Sequence, residues 1–210
     1  MVLALILAAS FCTEAPTKSP SRSVGRASSG SLEGGVAITE SESLRVLPKR
    51  HKARCLVFGT ERLARALEAA AAKVGGQPLG VGDLSRACGG SIAPLSRSHQ
   101  SGRDADLAFY AVKGPLDDLE ALKPGELDVA RQWRLVAALL EDPTIEVRWM
   151  FVSEPIRAAL LAEGERVKAD PATLVRARRV LHQPSDAPPH DDHLHLRIAC
   201  SADEAAAGCR

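Results

Sequence analysis

The sequence predicts an α+β domain, with a small, largely antiparallel sheet flanked by helices. Three observations carry that expectation. Apolar residues between 126 and 140 recur at helical spacing, whereas those in 145–152 and 193–199 alternate as they do in strands. No regular strand–helix–strand rhythm connects the segments, so a parallel, doubly wound sheet is not expected.

The elements follow in chain order. Residues 54–58 (RCLVF) form a short apolar run of strand character. Thr60 can cap a helix over 61–74, and the paired Gly75 and Gly76 stop it. Gly80, Gly82, Gly89 and Gly90 punctuate the next stretch as turns and loops. Residues 106–112 (DLAFYAV) read as a strand. In 126–140, Leu127, Ala130, Trp133, Ala137 and Leu140 paint one face of a helix, and Pro143 lies just beyond it. The alternating run 145–152 (IEVRWMFV) predicts a strand, after which Ser153 is placed to cap a helix with Pro155 in its first turn. Asp170 and Pro171 begin a further short helix reaching about Leu181, and 193–199 (HLHLRIA) is the last strand.

Composition bounds the function classes. The chain of 210 residues is 45% hydrophobic but only 3% aromatic, so its core must be built from Leu, Val, Ile and Ala. A formal charge of +1 gives no global attraction to nucleic acid, and no basic patch with interleaved aromatics suggests a nucleic-acid partner. Function must therefore reside in a local site.

The ends divide the chain. Residues 1–12 form a signal-like segment, whose apolar run VLALILAA is too short to span a bilayer as a helix. No basic residue precedes that run. Cys12 stands where a lipoprotein cysteine would, which leaves a membrane tether as an alternative, although Phe11 is large for the position before it. Residues 13–43, rich in Ser, Gly and Pro, are expected to be a flexible linker. The folded domain is expected over 44–210, in a periplasmic or secreted protein. Beyond Cys12, the cysteines are Cys55, Cys88, Cys200 and Cys209, an even set suited to an oxidising compartment and containing no Cys-x-x-Cys pair.

Two segments carry chemistry. SHQSGRDAD (98–106) supplies His99, Asp104 and Asp106 around a flexible Gly102. PPHDDHLHLR (188–197) supplies His190, Asp192, His193 and His195. On a strand, His193, His195 and Arg197 share one face while Leu194, Leu196 and Ile198 share the other. A polar loop with surface histidines is the plain alternative, but two separated His/Asp segments favour a metal, because zinc accepts mixed nitrogen and oxygen ligands. No His-Glu-x-x-His, P-loop or Gly-x-Ser-x-Gly motif is present. Ser98 and Ser101 do not occupy a strand-to-helix elbow, which disfavours a serine nucleophile.

These segments resemble the penicillin-insensitive murein endopeptidases, within a wider group of zinc peptidases that includes the lysostaphin-type enzymes and the D-Ala-D-Ala metallopeptidases. The group pattern is His, six residues, Asp, then later His-x-His, matched here by His99, Asp106 and His193-Leu194-His195. The murein endopeptidases add a histidine three residues before that pair, matched by His190. RWMFVSEPIRAALL and the tail CSADEAAAGC extend the similarity.

The resemblance implies a Zn2+ site on the sheet, with His99, Asp106 and His195 as ligands and a fourth position for water. It implies His193 as general base or oxyanion stabiliser, and His190 lining the site. Asp104 and Asp192 would orient the histidines, with Asp192 as an alternative base and Arg197 either holding a substrate carboxylate or only pairing with a local acid. It further implies a Cys200–Cys209 disulfide, which leaves Cys55 and Cys88 to pair by elimination. The implied substrate is cross-linked peptidoglycan, cut at the D-alanyl–diamino acid amide. A D,D-carboxypeptidase or dipeptidase acting on free stem peptides, or an inactive peptidoglycan-binding module, are the rival readings. One departure stands out: Ser96 occupies a position where family members often carry another histidine.

Overall fold

A computed structural model describes residues 20–48, 54–123 and 125–210. The signal-like segment and Cys12 lie outside the described residues, as does the start of the linker.

The predicted fold class holds. A six-stranded sheet runs in the order β4 (Leu44–Val46), β6 (Leu79–Val81), β7 (Asp104–Ala108), β10 (His193–Ile198), β8 (Val147–Phe151), β9 (Leu181–His182). Its central pairings, β6–β7, β7–β10 and β10–β8, are antiparallel; only the edge pairings β4–β6 and β8–β9 are parallel. Two small ladders flank it: β1 (Arg22–Arg26) with β2 (Ser29–Glu33), and β3 (Val36–Ala37) with β5 (Phe58–Gly59). The helices are α1 (Glu61–Val74), α2 (Val129–Glu141), α3 (Glu154–Arg166), α4 (Pro171–Val180) and α5 (Ala202–Ala206).

Local signals explain where most elements begin and end. Thr60 Oγ1 accepts from the Leu63 amide at 3.3 Å, and Gly75 closes α1 with φ 63°. Helix α2 begins later than the apolar pattern suggests. Leu127 is held in a bridge to Ala111, so the cap falls on Asp128, whose carboxylate accepts from the Arg131 amide. The strand expected over 106–112 runs instead from Asp104 to Ala108. Its partner β10 begins at His193, opposite Ala108, and beyond that point the Tyr110 amide turns to Gln132 Oε1 at 3.0 Å. The strand expected over 54–58 shrinks to Phe58–Gly59. Ser153 occupies the N-cap of α3 without a side-chain cap bond, and its amide donates instead to the His190 carbonyl at 2.8 Å.

Two expectations are corrected. The ordered chain includes a hairpin within the stretch expected to be a flexible linker, and the described fold begins near Pro20 rather than Leu44. Tertiary bonds supply the order that local composition does not. Leu32 is buried and its amide donates to the Cys88 carbonyl at 3.0 Å, while the Ser23 amide donates to Glu204 Oε1 at 3.0 Å. Gly102 makes this docking possible: its φ is +69°, and a Cβ there would lie 2.7 Å from Leu32 Cδ1. The second correction concerns cysteines. Cys200 and Cys209 form a disulfide across a sequence separation of 9, but Cys55 and Cys88 are not joined to each other.

The core positions the site through strand alternation. Leu194, Leu196 and Ile198 enter the main apolar cluster with Leu107 and with Leu135 and Leu139 of α2. That anchoring fixes the register of β10, and a one-residue slip would bury His193 and His195 in place of leucines. The polar side of β10 is thereby committed to the opposite face.

Candidate metal centre and cleft

Cross-strand pairing assembles the site. On β10, His195 lies opposite Asp106 and Arg197 opposite Asp104, both on β7. On the other side, His195 lies opposite Phe151 of β8. His99 arrives from the loop before β7 with φ 63°, buried, its ring edge-on to His195 at 4.8 Å between centroids. His99, Asp106, His190, Asp192, His193 and His195 come together at one cleft of 1210 Å³, which Phe151 and Arg197 also line, while Asp104 lies buried behind them.

The geometry converges on one oxygen. Asp106 Oδ1 lies 2.9 Å from His195 Nδ1, 3.2 Å from His99 Nε2 and 3.3 Å from His193 Nε2. Tetrahedral zinc with bonds of about 2.0–2.1 Å sets its donors roughly 3.3 Å apart, so these atoms have the right chemistry and spacing. The ligand atoms of His99, Asp106 and His195 lie within 4.8 Å of one another, and the same holds for His190, His193 and His195. The first trio is the better cation site, because it is more buried and its carboxylate offsets the cation's charge.

Surrounding groups orient these donors. His195 Nε2 faces Asp104 Oδ1 at 2.9 Å, and Arg197 Nε donates to the same oxygen at 2.6 Å. A proton on Nε2 shared with Asp104 leaves the Nδ1 lone pair directed at the Asp106 side. His193 Nδ1 is 2.6 Å from Asp192 Oδ1. Phe151 stacks on His195 at 5.2 Å with rings inclined by 21°, which fixes the imidazole from behind.

Burial and charge shift the protonation of this cluster. Burial alone would raise the Asp104 carboxyl, but His195 and Arg197 outweigh it and hold the group well below the usual carboxylate range. The same contest at Asp106 is decided by His99 and His193, again downward. Burial lowers His193, yet Asp106 and Asp192 lift it to about 10. At His190 burial first, then repulsion from His193 and His195, outweigh the pull of Asp106 and Asp192 and bring it down to about 4. The buried Asp104 and the half-buried Asp106 thus stay ionised and draw positive charge to themselves. Protonated imidazoles meet that demand here, and a divalent cation meets it in the same place.

Residues outside the sequence motifs complete the cleft. Gln183 fastens the Pro-rich loop that carries His190: its Oε1 accepts from the His190 amide at 2.8 Å, and its Nε2 donates to the Pro184 and Pro188 carbonyls at 2.9 and 3.1 Å. Nothing in the sequence pattern singles out Gln183. Phe151 was signalled by the alternation of IEVRWMFV, which places it on the face of Trp149. Ser96 sits in the cleft wall, with Oγ accepting from the Ser98 amide at 3.1 Å. His190 lines the cleft, and its Nδ1 is buried and makes no hydrogen bond among the described residues.

An acidic-imidazole cluster at the foot of a cleft, built on the polar face of an antiparallel sheet, is the arrangement of a metal-dependent hydrolase. The chain belongs to the penicillin-insensitive murein endopeptidase family, whose sequence model matches residues 23–210. It is accordingly a metallopeptidase of the peptidoglycan endopeptidase kind, and the matched span takes in the hairpin β1–β2 from Ser23 onward. No curated protein matches the chain.

Proposed function

We propose that this protein hydrolyses the D-alanyl–diamino acid amide that cross-links peptidoglycan stem peptides, using Zn2+ held by His99, Asp106 and His195. The observation that carries the reading is the convergence of imidazole nitrogens on Asp106 Oδ1 at 2.9–3.3 Å in a chain of this family. A bound zinc ion supplies Lewis acidity, which acidifies water and polarises a carbonyl.

The remaining steps belong to side chains. A cation bound beside Asp106 would offset the pull that otherwise keeps His193 protonated, and the neutral ring would take a proton from the attacking water and deliver it to the leaving amine. Asp192 holds the His193 ring through Nδ1 and stabilises the imidazolium between these two transfers, which makes it an orienting group ahead of an alternative base. His190, neutral at physiological pH because its pKa is pushed down to about 4, offers a hydrogen bond to substrate or developing oxyanion. Asp104, gripped by Arg197, fixes the tautomer of His195. The 1210 Å³ cleft exceeds the roughly 300–1,000 Å³ of a small-molecule pocket, which favours a cross-linked peptide over a free dipeptide.

Among the described residues, no helix is long and apolar enough to cross a membrane. The proposed place of work is the periplasm or the cell exterior, reached through residues 1–12 as an export signal, with Cys12 as the alternative lipid tether. The test of the reaction is mass analysis of purified muropeptide dimers after incubation with zinc-loaded protein. Conversion to monomers, with water added across the D-alanyl–diamino acid bond, is the expected result. Intact dimers with trimmed stem ends would replace this reading with a carboxypeptidase.

A further inference from the structure

A second groove, of 560 Å³, opens beside the catalytic cleft. Ser28 and Arg197 line both, so the two are continuous. The second groove gathers Arg26, Arg103, Arg148, Arg197 and Arg210 around Trp149, with Glu146 as its acidic member. This concentration is local, since the whole chain carries a net charge of only +1.

The side chains of Arg26, Arg148 and Arg210 are exposed and pair with no carboxylate among the described residues. Arg148 lies over the Trp149 ring at 5.1 Å. Arg103 is buried and donates to Ser23 Oγ at 2.9 Å, to the Ile198 carbonyl at 3.1 Å and, at 2.9 Å, to Arg210 O of the terminal carboxylate. Glu146 is exposed and lies 3.9 Å from the Arg179 guanidinium. The Cys200–Cys209 disulfide forms one wall, which keeps Arg210 beside the groove. Arg197 is paired with Asp104 and Arg103 with the terminal carboxylate, which leaves Arg26 and Arg148 as groove guanidiniums with no carboxylate partner among the described residues, and such groups on a concave surface suit carboxylate ligands.

We propose that this groove is an anionic subsite that binds free carboxylates of the stem peptide while the cross-link lies at the metal centre. The proposal rests on the peptidase reading above and names the substrate chemistry that extends past the scissile bond. A peptide built from D-alanine and a diamino acid carries free carboxylates at chain ends and on the diamino acid itself. Arg197 joins the subsites physically: its Nε grips Asp104, and its guanidinium lies 5.9 Å from the Phe151 ring that backs His195.

Equilibrium binding tests this independently of turnover. The probes are a stem tripeptide ending in the diamino acid, which lacks the cross-link, and the same peptide with its carboxylates amidated. Both are titrated into full-length, zinc-loaded protein and into its Arg26→Gln/Arg148→Gln variant, whose substitutions are exposed and leave the core intact. Wild type is expected to bind the acidic peptide about fivefold to tenfold more tightly than the amidated one, a preference that shrinks with added salt. The double variant is expected to bind both peptides alike. Absence of preference in wild type, or an undiminished preference in the variant, would overturn the subsite. Hydrolysis of muropeptide dimers by the same wild-type preparation scores the peptidase reading separately.

Discussion

A His195→Ala protein is expected to retain no stoichiometric zinc and to release no monomers from muropeptide dimers. His195 is the hinge of the site. Its Nδ1 faces Asp106 at 2.9 Å and its Nε2 faces Asp104 at 2.9 Å, so one ring serves as donor and as the link to the group that orients it. Its loss leaves His99 and Asp106 as a two-ligand site, too few for a catalytic zinc centre. It also strips a partner from the buried Asp104 and the half-buried Asp106, so stability should fall by about 3 kcal/mol, mitigated by Arg197 on Asp104. A His99→Ala variant separates the causes, because it deletes a ligand while leaving both Asp104 contacts in place. Full zinc occupancy in either variant, measured by elemental analysis, would remove that histidine from the ligand set.

His193→Ala is expected to behave differently, keeping zinc and slowing turnover by ~10²-fold or more, the scale of a lost general acid–base group. Its ring is tied to Asp192 at 2.6 Å and stands 3.3 Å from Asp106, beside the ligand trio and outside it. Asp192→Asn should produce a smaller loss, since the imidazole remains but loses the charge that steadies its protonated form. If His193→Ala turned over normally while Asp192→Asn was inactive, the base would be Asp192. The contrast between lost metal at His195 and lost rate at His193, two residues apart on one strand face, is the sharpest signature of the assignment.

Much of the site was legible because strand alternation translates directly into sidedness. HLHLRI places imidazoles on one face and leucines on the other, and β10 does so in the structure. Helix α1 was equally readable, since Thr60 and Gly75 are local signals that tertiary contacts leave unaltered. The hairpin β1–β2 was not, because its ordering comes from Leu32 packing under Gly102 and from Ser23 bonding to Glu204, contacts more than sixty residues distant in sequence. Strands such as Leu44–Val46 and Leu79–Val81 are too short to show a period. Helix α5 did carry a sequence signal, the Ser201–Glu204 capping box, although its five residues are few for a helix pattern. At the site, residue types could be listed from sequence. The pairing of Asp104 with both His195 and Arg197, and the stacking of Phe151, required the register of three strands.

We propose that a metal held by His99, Asp106 and His195 enables cross-link cleavage. The most direct measurement of this is the rate of dimer cleavage by chelator-stripped protein as zinc is titrated back. Activity that vanishes on stripping and returns in proportion to zinc, saturating at one ion per chain, is the predicted result. Undiminished cleavage by protein verified to be free of metal would contradict it.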